Sequence, residues 1–354
     1  MTTAQNLLRL NLSAFDKSWF LNYAYTQLRD GQAITQWKKE IFYFIIDWLS
    51  GSDTIKSTTS GSTGVPKTIT LKKEFVTISA KETNDFFNLK KSNTALLCLP
   101  VKYIAGKLMI VRAIERGLDL YCVEPSLSPS FNQSAIDFAA MTPTQVVTLL
   151  AEDEGRKLLS QIDKLIVGGD AISPSLEDKI GKLSTNVWHS YGMTETITHI
   201  AMRKVNGVGA SQKFTPLTHA EVSLANDSCL VIDASSIGVE KLKTNDIAEL
   251  YADGSFRLIG RKDNVVISGG VKLFPEEIEK RISGVCHLPY YLAGVNDELL
   301  GNKLVMYVES SAEIDKATLL KKIASRVDKY QVPKEIIVVK QFDRTGSGKI
   351  LRQP

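Results

Sequence analysis

Residues 164–192 read KLIVGGDAISPSLEDKIGKLSTNVWHSYG, and this stretch predicts an α/β fold. It contains two short apolar runs, 164–169 and 186–192, and each run ends in glycine. Short apolar runs that end in turn residues are typical of buried strands. Further runs occur at 94–100 and 118–125, with helical patterns between the runs. The alternation of strand and helix therefore predicts layered α/β subdomains.

The rest of the chain divides into segments with other patterns. Residues 29–49 and 71–89 carry apolar positions at helical spacing, whereas 214–260 contains brief strand-like segments separated by turns. Beyond a polar joint, helix and strand patterns alternate again. We therefore predict a large N-terminal domain of residues 1–262, in which the α/β layers are joined by a β-rich subdomain. A small, mobile α+β C-terminal domain is predicted for residues 263–354.

The composition argues against several classes of protein. Of the 354 residues, 44% are hydrophobic and 23% are charged, so the chain can bury the cores of two domains. There are 43 basic and 39 acidic residues, which gives a net charge of only +4, and the basic residues are scattered. Binding to nucleic acid usually requires a basic patch, so we expect no nucleic-acid partner.

The cysteine spacing and the N-terminal sequence indicate the cellular compartment. The four cysteines are far apart and form no CxxC pair, which argues against a zinc site and agrees with a reducing cytoplasm. The N-terminal residues lack the basic-then-apolar order of a signal peptide. The most apolar early run, residues 42–49, is short and contains Asp47. We expect a cytoplasmic protein without a membrane span.

A glycine-rich segment at 57–67, STTSGSTGVPK, is suited to binding phosphate. Small side chains let backbone N–H groups approach an anion, hydroxyls add donors, and Lys67 supplies a positive charge. Pro66 stands where a P-loop has its second glycine, and proline removes an N–H donor. A P-loop ATPase is therefore disfavoured. A Ser/Gly surface turn remains the alternative for this segment taken alone.

Six segments in order resemble the acyl-adenylate-forming, or AMP-binding, superfamily, which includes acyl-CoA synthetases, peptide-synthetase adenylation domains and luciferases. Such ordered matches are far more specific than one motif. The resemblance implies an ATP-dependent ligase that uses Mg²⁺, makes an acyl-adenylate from a carboxylic acid, and passes the acyl group to CoA. The segments are STTSGSTGVPK at 57–67, VGGDAIS at 167–173, HSYGMTET at 189–196, TNDIAEL at 244–250, GRKDNVVISGGVKLFPEEIE at 260–279 and DRTGSGKILR at 343–352.

The resemblance also implies roles for individual residues in nucleotide binding. Thr194 would bond to the α-phosphate, and Glu195 would hold Mg²⁺, which prefers a carboxylate plus phosphate oxygens. Asp263 would be the hinge at which the C-terminal domain turns between two half-reactions. The residues implied for the β- and γ-phosphates are Thr59, Ser60, Gly61, Ser62, Thr63, Gly64 and Lys67. Those implied for adenine and ribose are Gly169, Asp170, His189, Tyr191, Asp246 and Arg261.

The same resemblance implies roles in the two chemical steps. Lys349, in the TGSGK segment, would bridge the attacking carboxylate and the α-phosphate during adenylation. Ser268, Gly269 and Gly270 would line a channel for the pantetheine arm of CoA, although a simple β-turn uses the same residues. The residues implied for the acyl substrate are Lys102, Tyr103, Gly168, Gly192 and His199.

The identity of the acid is predicted from the similarity of two segments to one group within this superfamily. The chain is compact, and its segments at 100–110 and 190–201 are most similar to the o-succinylbenzoate:CoA ligases of menaquinone biosynthesis, a group within this superfamily. A ligase that loads another aryl or acyl acid onto CoA or a carrier protein is the alternative enzyme. A degenerate nucleotide-binding module is the alternative from a different class. The presence of Lys67, Glu195 and Lys349 argues against that module.

Overall fold

The computed structural model describes residues 7–30, 34–58, 67–344 and 350–352. These residues form two compact units. The first unit holds the described residues within 1–172, 176–221 and 233–240, and the second holds those within 173–175, 222–232 and 241–354. The predicted boundary between Lys262 and Asp263 stays a prediction.

The first unit contains most of the helices and one large sheet. Its strands and those that flank it are β1 (Leu7–Asn11), β2 (Thr54–Thr58), β3 (Thr68–Lys72), β4 (Thr94–Leu97), β5 (Asp119–Val123), β6 (Ile136–Met141), β7 (Ile162–Val167), β8 (Asn186–Gly192), β9 (His199–Lys204) and β10 (Thr215–Pro216). The helices are α1 (Lys17–Asp30), α2 (Gln36–Leu49), α3 (Lys73–Phe86), α4 (Ile104–Arg116), α5 (Pro143–Leu150), α6 (Asp153–Ser160) and α7 (Pro174–Ile180).

The large sheet has eight strands in the order β1-β5-β4-β6-β7-β8-β9-β10. Strands β5, β4, β6, β7 and β8 are parallel to one another. Strands β1 and β9 run antiparallel to them, and the edge strand β10 pairs antiparallel with β9. From β4 the chain proceeds outward to β5, then returns to β6 and continues the other way to β8. Ligands of such sheets bind beyond the carboxyl ends of the strands, near this change of direction. The predicted α/β class is confirmed.

Burial in the first unit follows the sheet pattern. All five residues of β5 are buried, as expected for a strand covered on both faces. One apolar cluster joins Leu96, Ala139, Leu165 and Val187 from four neighbouring strands. Helix α5 begins with a capping box in which the Thr142 hydroxyl accepts from the backbone of the glutamine three residues on. The parallel strands therefore form a rigid base for the loops at their ends.

The second unit is built from mainly antiparallel strands, with one parallel pair, and two helices. Strands β11 to β14 form a four-stranded sheet in sequence order, and β16-β15-β18-β17 form another sheet in which β19 also pairs with β18. Its apolar cluster includes Ile278, Leu292, Met306 and Ile323. The elements are β11 (Glu221–Leu224), β12 (Cys229–Ala234), β13 (Val239–Leu250), β14 (Phe256–Arg261), β15 (Val266–Ser268), β16 (Val271–Leu273), α8 (Pro275–Ile282), β17 (Tyr290–Asp297), β18 (Gly301–Glu309), α9 (Lys316–Ala324) and β19 (Glu335–Val339).

A helix that crosses a membrane needs about 20 consecutive, mainly apolar residues. Among the described residues, no helix is long and apolar enough to span a bilayer.

Candidate active site

The carboxyl end of β7 carries the first group of predicted site residues. The strand ends at Val167, and Gly168, Gly169 and Asp170 follow it. The amide of Gly168 donates to the carbonyl of Met141 at the end of β6, 3.1 Å away. Gly169 and Asp170 are exposed, as a surface that receives a ligand must be.

The HSYGMTET segment begins within β8 and continues as one helical turn at Thr194–Thr196. Tyr191 is buried and Glu195 is exposed. Ile197 follows the turn with φ of 63°, a value that β-branched residues rarely adopt. Such strain is found most often at functional sites and persists only where the surrounding structure enforces it.

Gly192 permits a close approach of two chains at the end of β8. A Cβ atom placed on Gly192 would lie 2.2 Å from the carbonyl oxygen of Thr198 and 2.5 Å from the Cα of His199. The pairing of β8 with β9 also shifts its register at this point. Gly192 and His199, both predicted to contact the acyl group, are therefore brought together by the backbone.

His189 is buried, and each of its ring nitrogens makes a hydrogen bond. Nδ1 accepts from Nε of Arg203 at 3.3 Å. Because an arginine can only donate, Nε2 must carry the ring proton, and it donates to the carbonyl of Asp170 at 3.0 Å. The structure thus connects two residues predicted to contact adenine. The predicted contact of His189 with the nucleotide stays a prediction.

The glycine-rich segment is flanked by a two-stranded hairpin. Thr58 at the end of β2 pairs with Thr68 at the start of β3. Thr58 also forms a bridge with Tyr103, which follows β4. The phosphate-binding residues predicted at 59–64 lie outside the described residues, whereas Lys67 is described and exposed. Thr58 therefore brings the start of the segment beside the loop that follows β4.

Two of the residues predicted to bind the acyl group follow β4. Lys102 is exposed, and its Nζ lies 4.9 Å from the centre of the Tyr103 ring. Tyr103 is half-buried and immediately precedes α4. The structure places Lys102 and Tyr103 beside Thr58 and therefore near the phosphate segment. Their contacts with an acyl group stay predictions.

His199 lies in a buried polar cluster between β9 and α3. The Thr83 hydroxyl donates to the carbonyl of Ser79 at 2.9 Å, so its oxygen accepts from Nε2 of His199 at 3.0 Å. Nδ1 of His199 then accepts from the Thr198 hydroxyl at 3.2 Å. Burial lowers the pKa of His199 well below its ordinary value, and repulsion from Arg112 and a second histidine adds to this effect. His199 is therefore neutral at pH 7.

This perturbed histidine makes the stability of the protein depend on pH. In the unfolded chain the pKa of His199 is the ordinary 6.5, and in the folded chain it is far lower. Below pH 6.5 the unfolded state alone binds the proton, so the free energy of unfolding falls as the pH falls. Between pH 7.5 and 5.5, His199→Gln should lose about 1.4 kcal/mol less stability than the original chain in urea titrations. The matched control is the exposed His287→Gln. Equal losses in all three proteins would contradict this assignment.

Arg112 is a candidate residue that the motifs did not identify. It is 3% exposed and lies in α4, yet no described carboxylate pairs with it. Among the described residues the one hydrogen bond of its guanidinium goes to the sulfur of Met109, at 3.6 Å, and its Nε has no hydrogen-bond partner. Burial lowers the pKa of Arg112 to about 9, so the group remains charged at pH 7. A buried charge is normally paired, and an unpaired one requires an explanation.

The surroundings of Arg112 are also short of hydrogen-bond partners. Asn84 on α3 donates to the Arg112 carbonyl at 3.0 Å, but its own Oδ1 has no partner among the described residues, and neither does the Ser79 hydroxyl. Thr83, which contacts His199, immediately precedes Asn84, which contacts the Arg112 backbone. Repulsion from Arg112 also lowers the pKa of His199. The sequence alone could have indicated that Arg112 is buried, since it is the single charged residue in the apolar run LMIVRAI at 108–114.

In the second unit, the residues predicted to bind ribose are cross-strand partners. Asp246 on β13 pairs with Arg261 on β14, and their side chains form an ion pair of 3.0 Å. Arg261 also reaches Asp263 at 3.4 Å, and Asn245 donates to the same carboxylate at 3.2 Å. The predicted ribose-binding aspartate, its arginine and the predicted hinge thus form one polar chain.

The predicted CoA channel coincides with a tight hairpin. Ser268 pairs with Val271, and the two residues between them, Gly269 and Gly270, have φ of 53° and 81°. Two-residue hairpin turns with positive φ at both positions strongly favour glycine. Lys349 lies outside the described residues. The residues on either side of its segment, Arg344 and Ile350, pair as an isolated antiparallel bridge.

Two family models match this chain in consecutive regions. The AMP-binding enzyme model matches residues 57–253, and the model of the AMP-binding enzyme C-terminal domain matches residues 291–349. The first match alone covers more than half of the chain and includes the phosphate segment, the ends of β7 and β8, and Asp246.

Curated proteins and solved structures show similarity over most of the chain. The 2-succinylbenzoate–CoA ligase of Listeria monocytogenes is 26% identical over 318 residues, which span 83% of this chain and 68% of that protein. A crystal structure of an acyl-CoA synthetase (AMP-forming)/AMP-acid ligase II-like protein from Dyadobacter fermentans is 32% identical and covers 97% of both chains, with a TM-score of 0.66. The O-succinylbenzoate Coenzyme A synthetase of Bacillus subtilis, in complex with ATP and magnesium, has the same fold, with a TM-score of 0.69, 19% identity and coverage of 97% of this chain and 82% of that one. From the motifs, the fold and these similarities together, the chain belongs to the AMP-binding enzyme family.

Proposed function

We propose that the chain is an AMP-forming acid–CoA ligase that converts o-succinylbenzoate, the 2-succinylbenzoate of its relatives' names, into o-succinylbenzoyl-CoA. Membership of the family and the names of the curated relatives support the ligase reaction. One observation in this chain supports the substrate, namely the buried and unpaired guanidinium of Arg112.

The substrate explains why such a guanidinium would be retained. o-Succinylbenzoate carries two carboxylates, of which one reacts while the other keeps its negative charge inside the protein. A buried carboxylate needs a cation and hydrogen-bond donors. Arg112 can donate two parallel bonds to a carboxylate, which neutral His199 beside it cannot do. We therefore assign Arg112 to the carboxylate that does not react.

The adenylation step requires a carboxylate to attack the α-phosphate of ATP in line. Thr194 would donate to an α-phosphate oxygen, and Lys349 would hold the attacking and attacked groups together. Lys67 and the hydroxylated residues before it would bind the outgoing phosphates. These groups reduce the repulsion between two anions that must approach each other.

Glu195 is suited to holding Mg²⁺. Its carboxylate is exposed, and no cluster of three or more acidic, histidine or cysteine side chains capable of holding a metal occurs in the described part of the chain. Mg²⁺ is usually held by one or two carboxylates together with substrate phosphates, and a single carboxylate fits this pattern. The ion would supply charge neutralisation on the phosphates.

We further propose that residues 1–262 form the nucleotide-binding domain, and that residues 263–354 turn at Asp263 between the two steps. Ser268, Gly269 and Gly270 would then face the pantetheine arm of CoA. Because ATP and CoA are plentiful in the cytoplasm, we place the reaction there.

Product analysis by mass spectrometry tests the proposal. The purified protein is incubated with ATP, Mg²⁺, CoA and a panel of acids that includes o-succinylbenzoate. We expect AMP, pyrophosphate and o-succinylbenzoyl-CoA. AMP with another thioester would retain the ligase reaction and reject this substrate, and a thioester formed only on a carrier protein would reject CoA. No AMP with any acid would favour the non-catalytic nucleotide-binding module.

A further inference from the structure

Arg203 lies at the centre of a buried network beneath the predicted adenine pocket. It is 6% exposed and lies on β9 directly opposite His189 on β8. Its guanidinium forms an ion pair with Glu177 and donates to the carbonyl of Ser211 at 3.2 Å. Together with the bond to His189, the interactions of Arg203 use all three of its nitrogens. Such a set of bonds holds a planar guanidinium in one orientation.

The network fixes which nitrogen of His189 carries the proton. A neutral imidazole has one donor and one acceptor nitrogen. Since Arg203 donates to Nδ1, the proton must be on Nε2, which faces the carbonyl of Asp170. Without Arg203, the His189 ring could carry its proton on either Nδ1 or Nε2. Only the Nε2–H form can donate to the Asp170 carbonyl and so hold the loop that follows β7. The orientation of that loop therefore depends on Arg203.

The same guanidinium also supports the aromatic side of the pocket. It lies 5.6 Å from the centre of the Phe214 ring, a distance typical of a cation–π contact. Phe214 in turn packs against His189 with ring centres 5.3 Å apart and against Tyr191 at 5.9 Å. Arg203 thus contacts His189 directly and is linked to Tyr191 through the ring of Phe214. These are the two side chains that the end of β8 supplies to the predicted pocket.

We propose that Arg203, held by Glu177, is a positioning residue for the nucleotide: it sets the Nε2–H form of His189, and thereby the Asp170 carbonyl, and it holds Phe214 against Tyr191. This inference rests on the proposed function, because that function assigns the adenine pocket to these residues. Arg203 does not itself touch the nucleotide, so its effect must be transmitted through His189 and Phe214.

The test combines histidine NMR with nucleotide binding. The chain has only four histidines, so ¹⁵N-histidine labelling gives a simple two-bond ¹H–¹⁵N spectrum in which the two neutral forms of the ring are distinct. In Arg203→Met, which has no donor for Nδ1, we expect His189 to lose its pure Nε2–H pattern, while His199 keeps the pattern of its own network. The Kd of ATP with Mg²⁺, measured by calorimetry without acid or CoA, should rise about ten-fold or more.

Two further variants separate positioning from folding. Arg203→Lys retains one donor for Nδ1, so it should restore the His189 pattern and part of the ATP affinity. Glu177→Gln removes the charge that orients Arg203 and should shift both readouts in the same direction as Arg203→Met. Glu177→Gln therefore tests the inference even if Arg203→Met fails to fold. The control is Arg9→Gln, which breaks an ion pair with Asp119 between β1 and β5 and should change neither readout.

The outcomes distinguish this inference from the proposed function. If the original protein binds ATP and folded Arg203→Met shows unchanged His189 signals and unchanged affinity, the positioning role is rejected. An unchanged Glu177→Gln, or a failure of Arg203→Lys to recover either readout, would also reject it. If the original protein binds no ATP, the proposed function fails, while the NMR spectra still decide whether Arg203 sets the form of His189.

Discussion

Lys349→Ala is expected to lower the rate of acid-dependent ATP–pyrophosphate exchange by at least about 100-fold. The lysine would place its charge between two anions, the attacking carboxylate and the α-phosphate, and nothing else in its segment, TGSGK, can supply a charge. Removal of one well-placed donor to a transition state typically costs two to three orders of magnitude in rate. The measurement is exchange of labelled pyrophosphate into ATP in the presence of o-succinylbenzoate.

The second half-reaction supplies the sharpest control for this variant. When the variant is given synthetic acyl-adenylate and CoA, thioester formation should remain within about three-fold of the original rate, because that step needs no attack on the phosphate. Lys340→Ala, at an exposed lysine nine residues earlier in the sequence, should leave both steps unchanged. An equal loss of both steps in Lys349→Ala would contradict a role confined to adenylation.

Much of the fold could be predicted because strand signals are local. The apolar runs at 94–100, 164–169 and 186–192 correspond to β4, β7 and β8, and the turn residues at their ends predict where those strands stop. The helical pattern over 29–49 includes the end of α1, at Asp30, and the whole of α2, which begins at Gln36. Apolar spacing carries little information about where a helix starts when no side-chain cap marks the position, and Thr35 makes no such bond. Family membership was predicted from ordered motifs and is confirmed.

The candidate site was less accessible to sequence reasoning because its supporting contacts are long-range. Arg203 gains meaning only when β9 folds back on β8 and places it opposite His189. Arg112 stands out in the sequence as one charge in an apolar run, but its burial depends on the packing of α3 against α4. In both cases the residue type was visible, but its burial and its partners depend on strand order and helix packing, which no local pattern specifies.

Arg112→Met should lower kcat/KM for o-succinylbenzoate by about 100-fold or more while leaving the fold as stable as before, or more stable. The loss follows from truncating one partner of a buried charge pair, which typically costs 2–5 kcal/mol. The unchanged or greater stability follows because methionine needs no charge partner, and replacing a buried charge by an apolar side chain is often neutral or stabilising. Steady-state kinetics and urea unfolding of the same preparations measure the two quantities.

Two comparisons decide whether Arg112 recognises a carboxylate. Replacing either carboxylate of o-succinylbenzoate with hydrogen gives two mono-acids, and both should be poor substrates of the original enzyme. For the mono-acid that retains the reactive carboxylate, Arg112→Met should lower kcat/KM little further. Arg116→Met, one turn further along α4 and paired at the surface with Asp85, should change kinetics and stability only slightly. A large loss of stability in Arg112→Met, or equal losses of activity toward di-acid and mono-acid, would show that Arg112 supports the fold. The combination of weaker catalysis and unchanged or greater stability is the signature of a charge that is retained for its substrate.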